Sequence, residues 1–573
     1  MLKRLPTVSR TVWLLGLFAL LAYLPGSWWG APHATAEERK QSWGVDDETP
    51  LGPLAEIHNI IEPKPDRNLG YPLMYSFVVA AAYAPYLGFL FLTGQWTTIS
   101  GAYPFGFADP VATLKVMTYI AHLVTVLMGV GLVLAAYETG RVLWNRRAGI
   151  LTALFALSSY PLFYYARNGN VDVPMLFFVA LTIMMFAHCL AGGVTTRRLF
   201  WLGVFGGFAL GTKEQAVAAF LIIPFVLLAL QWRAHDGRWR SRAFWAAPAA
   251  GLLGGVLAFG FGSGLFVEPS RYIAHVQLIS GRVDTIAAGD IYIPNIFPNT
   301  LSGNLQYLQK IGAFLVDMMT LPGLILGLAG LAGLIWRHPR KSWVGLTAVS
   351  YLLFIFLTLR AAQMRYLMPG AFLLAFPAGW LLAVGWESRH TAVRWGSALL
   401  AVGIVGFGLL RGAALTYEMI NDSRFAAAAW LAPRLDAGDS VEYFGPVQNL
   451  PPLEAGVLTT MATEYFGIYV PTPKDDAKVR EILQGWDTRQ PEFIILLPDL
   501  TSPPGVHYNS SCPPQLCDAM LDGSLGFPLA ARFQTEPLFP WLPLPELDYP
   551  SVNPPIYVFA RPSADTAVTP TAP

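Results

Sequence analysis

Charge is scarce in this chain. Of its 573 residues only 13% are charged, where soluble proteins carry roughly 25%. Neither sign prevails: 38 Lys and Arg stand against 37 Asp and Glu, for a formal net charge of +1. No basic domain stands out, so nucleic acid has no electrostatic footing here. Phosphate-cradling glycine signatures are missing too, both the Walker loop and the Rossmann fingerprint, which leaves a soluble nucleotide donor unsupported. Cysteine is limited to three residues. Cys189 lies in an apolar run and reads as a small buried side chain. Cys512 and Cys517, in SSCPPQLCD, have four residues between them within a polar tail; a local disulfide is favoured if that tail is outside the cytoplasm. A metal site there would need more ligands than the nearby His507 supplies. What is abundant is apolar: 54% of residues are hydrophobic and the mean hydropathy is +0.45. Apolar runs cover most of the chain up to about residue 412, after which it turns polar and Pro-rich. The expectation is an α-helical polytopic membrane protein.

Eleven segments are long enough to span a bilayer with some tilt. TVWLLGLFALLAYLPGSWW comes first, then runs near 111–137, 148–166, 173–191, 199–212, 215–231 and 243–264. Beyond a long polar loop, 265–311, come 312–335, 342–359, 367–386 and 394–412. A twelfth apolar segment, YPLMYSFVVAAAYAPYLGFLFL (71–92), reverses the sidedness of everything after it if it crosses. The distribution of arginine and lysine arbitrates. With the N-terminus (Lys3, Arg4, Arg10) cytoplasmic and 71–92 not crossing, the inner loops are RVLWNRR, TTRR, RAHDGRWRSR, RHPRK and ESRHTAVR, all rich in Arg or Lys. Residues 71–92 then form a juxtamembrane helix on the outer surface, broken by Pro85. This places the protein in the plasma (inner) membrane, multi-pass, N-terminus in and C-terminal domain out. The alternative for the first segment is a cleaved signal peptide, with small residues in APHATAEE as the cleavage site.

In this topology the acids gather on one face. The first outer loop, 30–110, carries SWGVDDETPLGP with Asp46, Asp47 and Glu48. The same side receives Arg167 and Asp172 in YYARNGNVDVP, the Lys213-Glu214 turn, and Arg360, Arg365 and Tyr366 in RAAQMRYLMP. Helix-end anchoring by long cationic stems accounts for Arg360. It does not account for Asp172, whose carboxylate has no stem to reach water between Asn170, Val171 and Val173. Carboxylates beside fixed cations at headgroup depth suit one task. A carboxylate takes the proton of an acceptor hydroxyl or amine, while cations neutralise a departing phosphate.

The ordered set of an acidic pair after the first span, a YPL helix, RNGNVDVP, GTKE and RYLMP resembles the GT-C superfamily of integral-membrane glycosyltransferases. It is most similar to the protein O-mannosyltransferase and lipid A aminoarabinose transferase branch. The resemblance covers residues 1 to about 412. It implies the GT-C fold, a polyprenyl-phosphate sugar donor, an inverting transfer and a carboxylate base in the first loop. That role falls on Asp47, with Asp46 its competitor and Glu48 beside them. Asp172 matches the second family acid. Lys213 and Arg365 match positions expected near the donor phosphate, with Tyr366 and Arg167 as further candidates there. One departure is Tyr71-Pro72-Leu73, where the family has a doubled proline.

The glycine-rich GLLGGVLAFGFGSG (251–264) reads as close helix packing through its G-x-x-x-G spacing. Residues 1–412 are thus read as the transmembrane domain and 413–573 as a small extracytoplasmic α/β domain. In the latter, NDSRFAAAAWLAPRL and DDAKVREILQGW predict helices, the first capped by Asp422 or Ser423, and DSVEYF, EFIILLP and PPIYVFA predict strands. Two other functions fit the composition: a transporter or flippase using Asp172, or a non-catalytic subunit with a partner-binding outer domain. Transporters bind near the midplane and often show internal repeats, whereas these acids lie at helix ends and no repeat is visible. The expected partners are the lipid-linked donor, membrane lipids and a lipid, glycan or protein acceptor. No cofactor is expected; a divalent metal stays open as an alternative that nothing in the sequence supports.

Overall fold

Helices occupy most of the first 420 residues, as apolar runs of this length require when every backbone amide must be satisfied within its own segment. The computed structural model describes residues 9–561 except 34, 36–38, 41, 45, 65, 66, 68, 289–296, 446, 464–473, 498–511, 546 and 548–551; of 282–288 and 449 it describes only the backbone. Lys3, Arg4 and His507 fall outside these residues. Among the described residues, segments Met1–Ser27, Gly52–Ala84 and Ile120–Ala413 form one compact unit, and Trp28–Leu51, Pro85–Tyr119 and Ala414–Pro573 a second.

Across the described residues, eight helices are long and apolar enough to cross a membrane, or nine if one bent pair counts as a span. Seven of the eleven segments read from the sequence are among the eight, the eighth being Met74–Leu92; one more lies in the bent pair, and three fall short in length. Arg10–Tyr23, Arg146–Leu157 and Thr196–Leu210 form helices of 14, 12 and 15 residues. At about 1.5 Å per residue each is shorter than a hydrocarbon layer of about 30 Å. The bent pair is Leu301–Met319 with Leu321–Arg337, which turn by 103° at Thr320. Residues 265–311, read from the sequence as a loop, contain helix Pro269–Ala288 and the start of Leu301–Met319. Their apolar residues are too sparse to register as a run. Met74–Leu92 is one continuous helix through Pro85 and has the length and hydropathy to cross. Proline forfeits one hydrogen bond there without breaking the helix.

In the first unit, helix Met364–Trp386 is the most buried of the long apolar helices. It packs against Arg146–Leu157, Leu321–Arg337 and Pro339–Thr358. Thr196–Leu210 and Arg242–Gly262 meet along a seam of glycines. A Cβ on Gly203 would lie 2.0 Å from the Gly251 carbonyl oxygen, and one on Gly207 2.6 Å from that of Gly255. Only glycine permits this approach, as the G-x-x-x-G spacing anticipates. At the end of this seam the chain leaves the helix as Thr212-Lys213-Glu214.

The second unit contains a five-stranded mixed sheet: β1 Ser440–Tyr443, β2 Leu458–Met461, β3 Phe493–Leu496, β4 Leu529–Phe533 and β5 Ile556–Ala560, in the order β2-β1-β3-β5-β4. β1 runs parallel to β2 and β3, and β5 antiparallel to β3 and β4. β3 is apolar throughout because both faces are covered. Ile495 packs with Ala427 and Leu431 of helix Ser423–Leu431. Ile494 and Leu496 pack with Trp486 of helix Asp476–Arg489 and Leu516 of helix Pro514–Leu521. Asp422 caps the first of these helices, accepting from the Arg424 amide at 3.0 Å. Cys512 and Cys517 are disulfide-bonded, with Cα atoms 6.0 Å apart.

Candidate functional site

The segment RNGNVDVP folds as two successive side-chain turns. Asn168 Oδ1 accepts from the Asn170 amide at 3.2 Å, and Asn170 Oδ1 from the Asp172 amide at 2.7 Å. These turns place Asp172 as the first residue of helix Asp172–Gly192, fully buried. A carboxylate there complements the positive end of the helix dipole. Lys213 reaches it from the end of the glycine seam, in extended conformation (φ −159°, ψ 125°). Its Nζ donates to Asp172 Oδ1 at 2.6 Å. The ammonium also faces two aromatic rings, Tyr71 at 5.6 Å and Tyr366 at 5.0 Å from their centroids. The pair therefore has a counter-charge and π faces in place of water. Asp172 Oδ2 is buried and receives no hydrogen bond among the described residues. An orphaned carboxylate oxygen is costly unless something binds it.

Tyr366 is held by its own carbonyl, which accepts from Gln215 Nε2 at 2.9 Å and Tyr351 Oη at 2.6 Å. Arg365 stacks 5.2 Å from the Tyr366 ring centroid and donates from Nε to Gln363 Oε1 at 3.0 Å. Asp172, Lys213, Tyr366 and Arg365 thus form one connected group. Arg167 is fully buried and donates to the Ala22 carbonyl at 2.8 Å, tying helix Arg10–Tyr23 to the turn before Asp172.

Sequence reasoning missed a second tier in the same unit. Glu214 Oε1 meets His275 Nε2, and His275 Nδ1 donates to the Leu69 carbonyl at 2.6 Å. Burial by itself would lower the His275 pKa, but Glu214 and that carbonyl outweigh it and raise it. Arg271 donates to Glu56 Oε2 at 2.9 Å and to the Tyr71 carbonyl at 3.0 Å. Arg67 Nη1 donates to Glu268 Oε2 at 2.7 Å. Glu56, Arg67, Leu69 and Tyr71 are thereby tied to helix Pro269–Ala288, to Glu268 just before it and, through His275, to the Lys213-Glu214 turn. The signal was available: Glu268, Arg271 and His275 recur at the i, i+3, i+7 spacing of one helix face.

The acidic triplet belongs to the second unit. Asp46 is exposed at φ +47°, a left-handed conformation that aspartate tolerates. Asp47 Oδ1 accepts from the Thr49 amide at 3.0 Å and from the Thr49 hydroxyl, which fixes that carboxylate. Asp47 and Glu48 are half-buried. The loop is itself anchored. Trp43 N and Ser42 Oγ donate to the Gly30 carbonyl at 3.1 and 3.0 Å, and Gly30 supplies the φ of +74° that the close approach to Trp43 needs. The Arg424 guanidinium stacks 3.8 Å from the Trp43 ring centroid, and Trp29 Nε1 donates to Asp422 Oδ2 at 2.9 Å. Among the described residues no group of three or more His, Cys, Asp or Glu converges as a metal site.

The sequence model of the dolichyl-phosphate-mannose-protein mannosyltransferase family matches residues 114–258. The match covers about a quarter of the chain and falls within the stretch that resembles the GT-C superfamily. No curated protein matches. Among solved structures, the archaeal oligosaccharyltransferase AglB from Archaeoglobus fulgidus, in complex with an inhibitory peptide and a dolichol-phosphate, is 12% identical. The match covers 85% of this chain and 68% of that one, with a TM-score of 0.44. ArnT from Cupriavidus metallidurans in the apo state is 13% identical over 96% and 97% of the two chains, TM-score 0.42. ArnT bound to undecaprenyl phosphate is 12% identical over 96% and 98%, TM-score 0.40.

Proposed function

We propose that this membrane protein transfers a sugar from a polyprenyl-phosphate donor to an acceptor on the extracytoplasmic side, with inversion. The observation that carries the reading is the buried Asp172–Lys213 pair, with Asp172 Oδ2 orphaned and Arg365 and Tyr366 adjoining. A buried cation held by a carboxylate and flanked by π faces is preorganised to meet an anion, and it needs no reorganisation when charge develops on the leaving phosphate. The family match supports the donor class, since that family's description names a dolichyl-phosphate sugar.

In this mechanism Asp47 accepts the proton of the acceptor hydroxyl or amine. The acceptor atom bonds to the anomeric carbon as the bond from that carbon to the phosphate oxygen breaks. The leaving polyprenyl phosphate keeps the electron pair, and Lys213 and Arg365 neutralise it. Asp172 holds Lys213, and its free oxygen accepts from a sugar hydroxyl. These cations supply the charge neutralisation, so the reading calls for no metal.

The test is mass spectrometry of lipid-linked sugars and glycoconjugates in a deletion strain. The wild-type gene should restore a missing glycoconjugate. Asp47→Asn should cut transfer by about 10²–10⁴-fold, the usual contribution of a general base, while the protein still folds. If Asp47→Asn and Asp46→Asn both transfer at the wild-type rate, the mechanism is wrong.

A further inference from the structure

A second cationic site lies in the first unit, built from three helix ends. Arg10 opens helix Arg10–Tyr23, Arg141 lies in the last turn of helix Pro110–Leu143, and Arg146 opens helix Arg146–Leu157. Of the three, helix Pro110–Leu143 is long enough to cross a membrane, and arginines at the end of such a helix stand beside the lipid headgroups. Together with Thr11, Tyr137 and Glu138 these arginines line an open cavity of about 560 Å³, within the range of ligand sites.

The charges in this cavity do not balance. Arg146 donates from Nε and Nη2 to Thr11 Oγ1 at 3.0 and 2.6 Å. A hydroxyl orients the guanidinium but cannot neutralise it. Arg141 makes a bidentate pair with Glu138 at 2.7 Å through each nitrogen, and Glu138 is shared with His188 at 3.4 Å. Three guanidiniums therefore face one carboxylate. Two helices begin here, Arg10–Tyr23 capped by Ser9 and Arg146–Leu157 capped by Asn145, and one, Pro110–Leu143, ends here, so two positive dipole ends meet one negative end. Guanidinium forks match phosphate oxygens in geometry. From the cavity, Trp13, Leu14, Leu17 and Leu21 continue along helix Arg10–Tyr23 as an exposed apolar strip, each more than half exposed.

We propose that this cavity binds the phosphodiester headgroup of an anionic phospholipid, whose acyl chains lie along the Trp13–Leu21 strip. The strip selects a lipid over free phosphate, and the charge imbalance selects an anionic lipid over a zwitterionic one. The site shares no residue with the proposed transferase chemistry, so either reading can fail without the other.

The experiment is native mass spectrometry of the delipidated full-length protein in detergent, titrated with phosphatidylglycerol, phosphatidylcholine or inorganic phosphate. Phosphatidylglycerol should bind in preference to phosphatidylcholine and should not be displaced by inorganic phosphate. The double variant Arg10→Gln, Arg146→Gln should bind phosphatidylglycerol about thirtyfold more weakly, the loss expected for two headgroup-facing arginines. Glu138→Gln should bind it more tightly, a gain that a misfolded protein cannot produce. Equal binding of the two lipids, displacement by phosphate, or an unchanged double variant would each overturn the proposal.

Discussion

The chemistry of single residues separates two roles for Asp172. As a purely structural partner it would do no more than offset the Lys213 charge. Asp172→Asn leaves that ammonium buried without a counter-charge, which costs about 3–5 kcal/mol. Replacing both, Asp172→Leu with Lys213→Met, removes the charges together and should recover most of that loss in a thermal melt. Under the proposed mechanism the double variant stays inactive despite its stability. Recovery of transfer along with stability would reduce the pair to scaffolding. His275 offers a second residue-level test. Its pKa lies above the ordinary 6.5 when folded, so its stabilising contribution is complete below the unfolded value and is lost as pH rises through the folded one. The melting-temperature gap between wild type and His275→Gln should therefore be largest near pH 6 and close at higher pH. Glu214 is 42% exposed, which limits the effect to about 1 kcal/mol or less. A gap that widened with pH would contradict the raised pKa.

Between elements, the acidic loop and the α/β domain are coupled within the second unit. Trp43 packs on Arg424, Arg424 donates to both oxygens of Asp422 at 2.8 Å, and Asp422 also accepts from Trp29. Arg39 adds a hydrogen bond to the Val457 carbonyl. The loop carrying Asp47 is therefore set by the domain that follows residue 413, through contacts made by buried aromatic and cationic side chains. A desolvated cation–π pair contributes about 2 kcal/mol. Trp43→Ala should accordingly speed hydrogen exchange of the Asp47 amide, which bonds to the Gly44 carbonyl, by about tenfold or more. The amides of β3 should keep their protection. Equal acceleration in both places would mean that Trp43 supports the whole domain rather than the loop.

For the whole molecule, the proposed orientation rests on arginine and lysine in the loops. Single cysteines placed at 140–147 and 233–242 should react with an impermeant thiol reagent only from the cytoplasmic side. Labelling of both from outside would invert the arrangement and place Met74–Leu92 across the bilayer. The sequence by itself determined the membrane-embedded class, the change to a polar α/β tail, three of its five strands and the glycine seam. Each of these is written locally, as an apolar run, a period of two or 3.6, or a four-residue spacing. It also singled out Asp172, Lys213, Arg365 and Tyr366 one by one, because charge and aromatic residues at the ends of apolar runs are conspicuous. Only the tertiary structure decided that Asp172 and Lys213, 41 residues apart, share a proton-scale contact. The same holds for Glu56 with Arg271 and Arg67 with Glu268, pairs separated by 215 and 201 residues. Ion pairs between distant segments leave no periodic trace in either segment. They exist because burial forces each charge to find a partner, and the fold fixes which one is within reach.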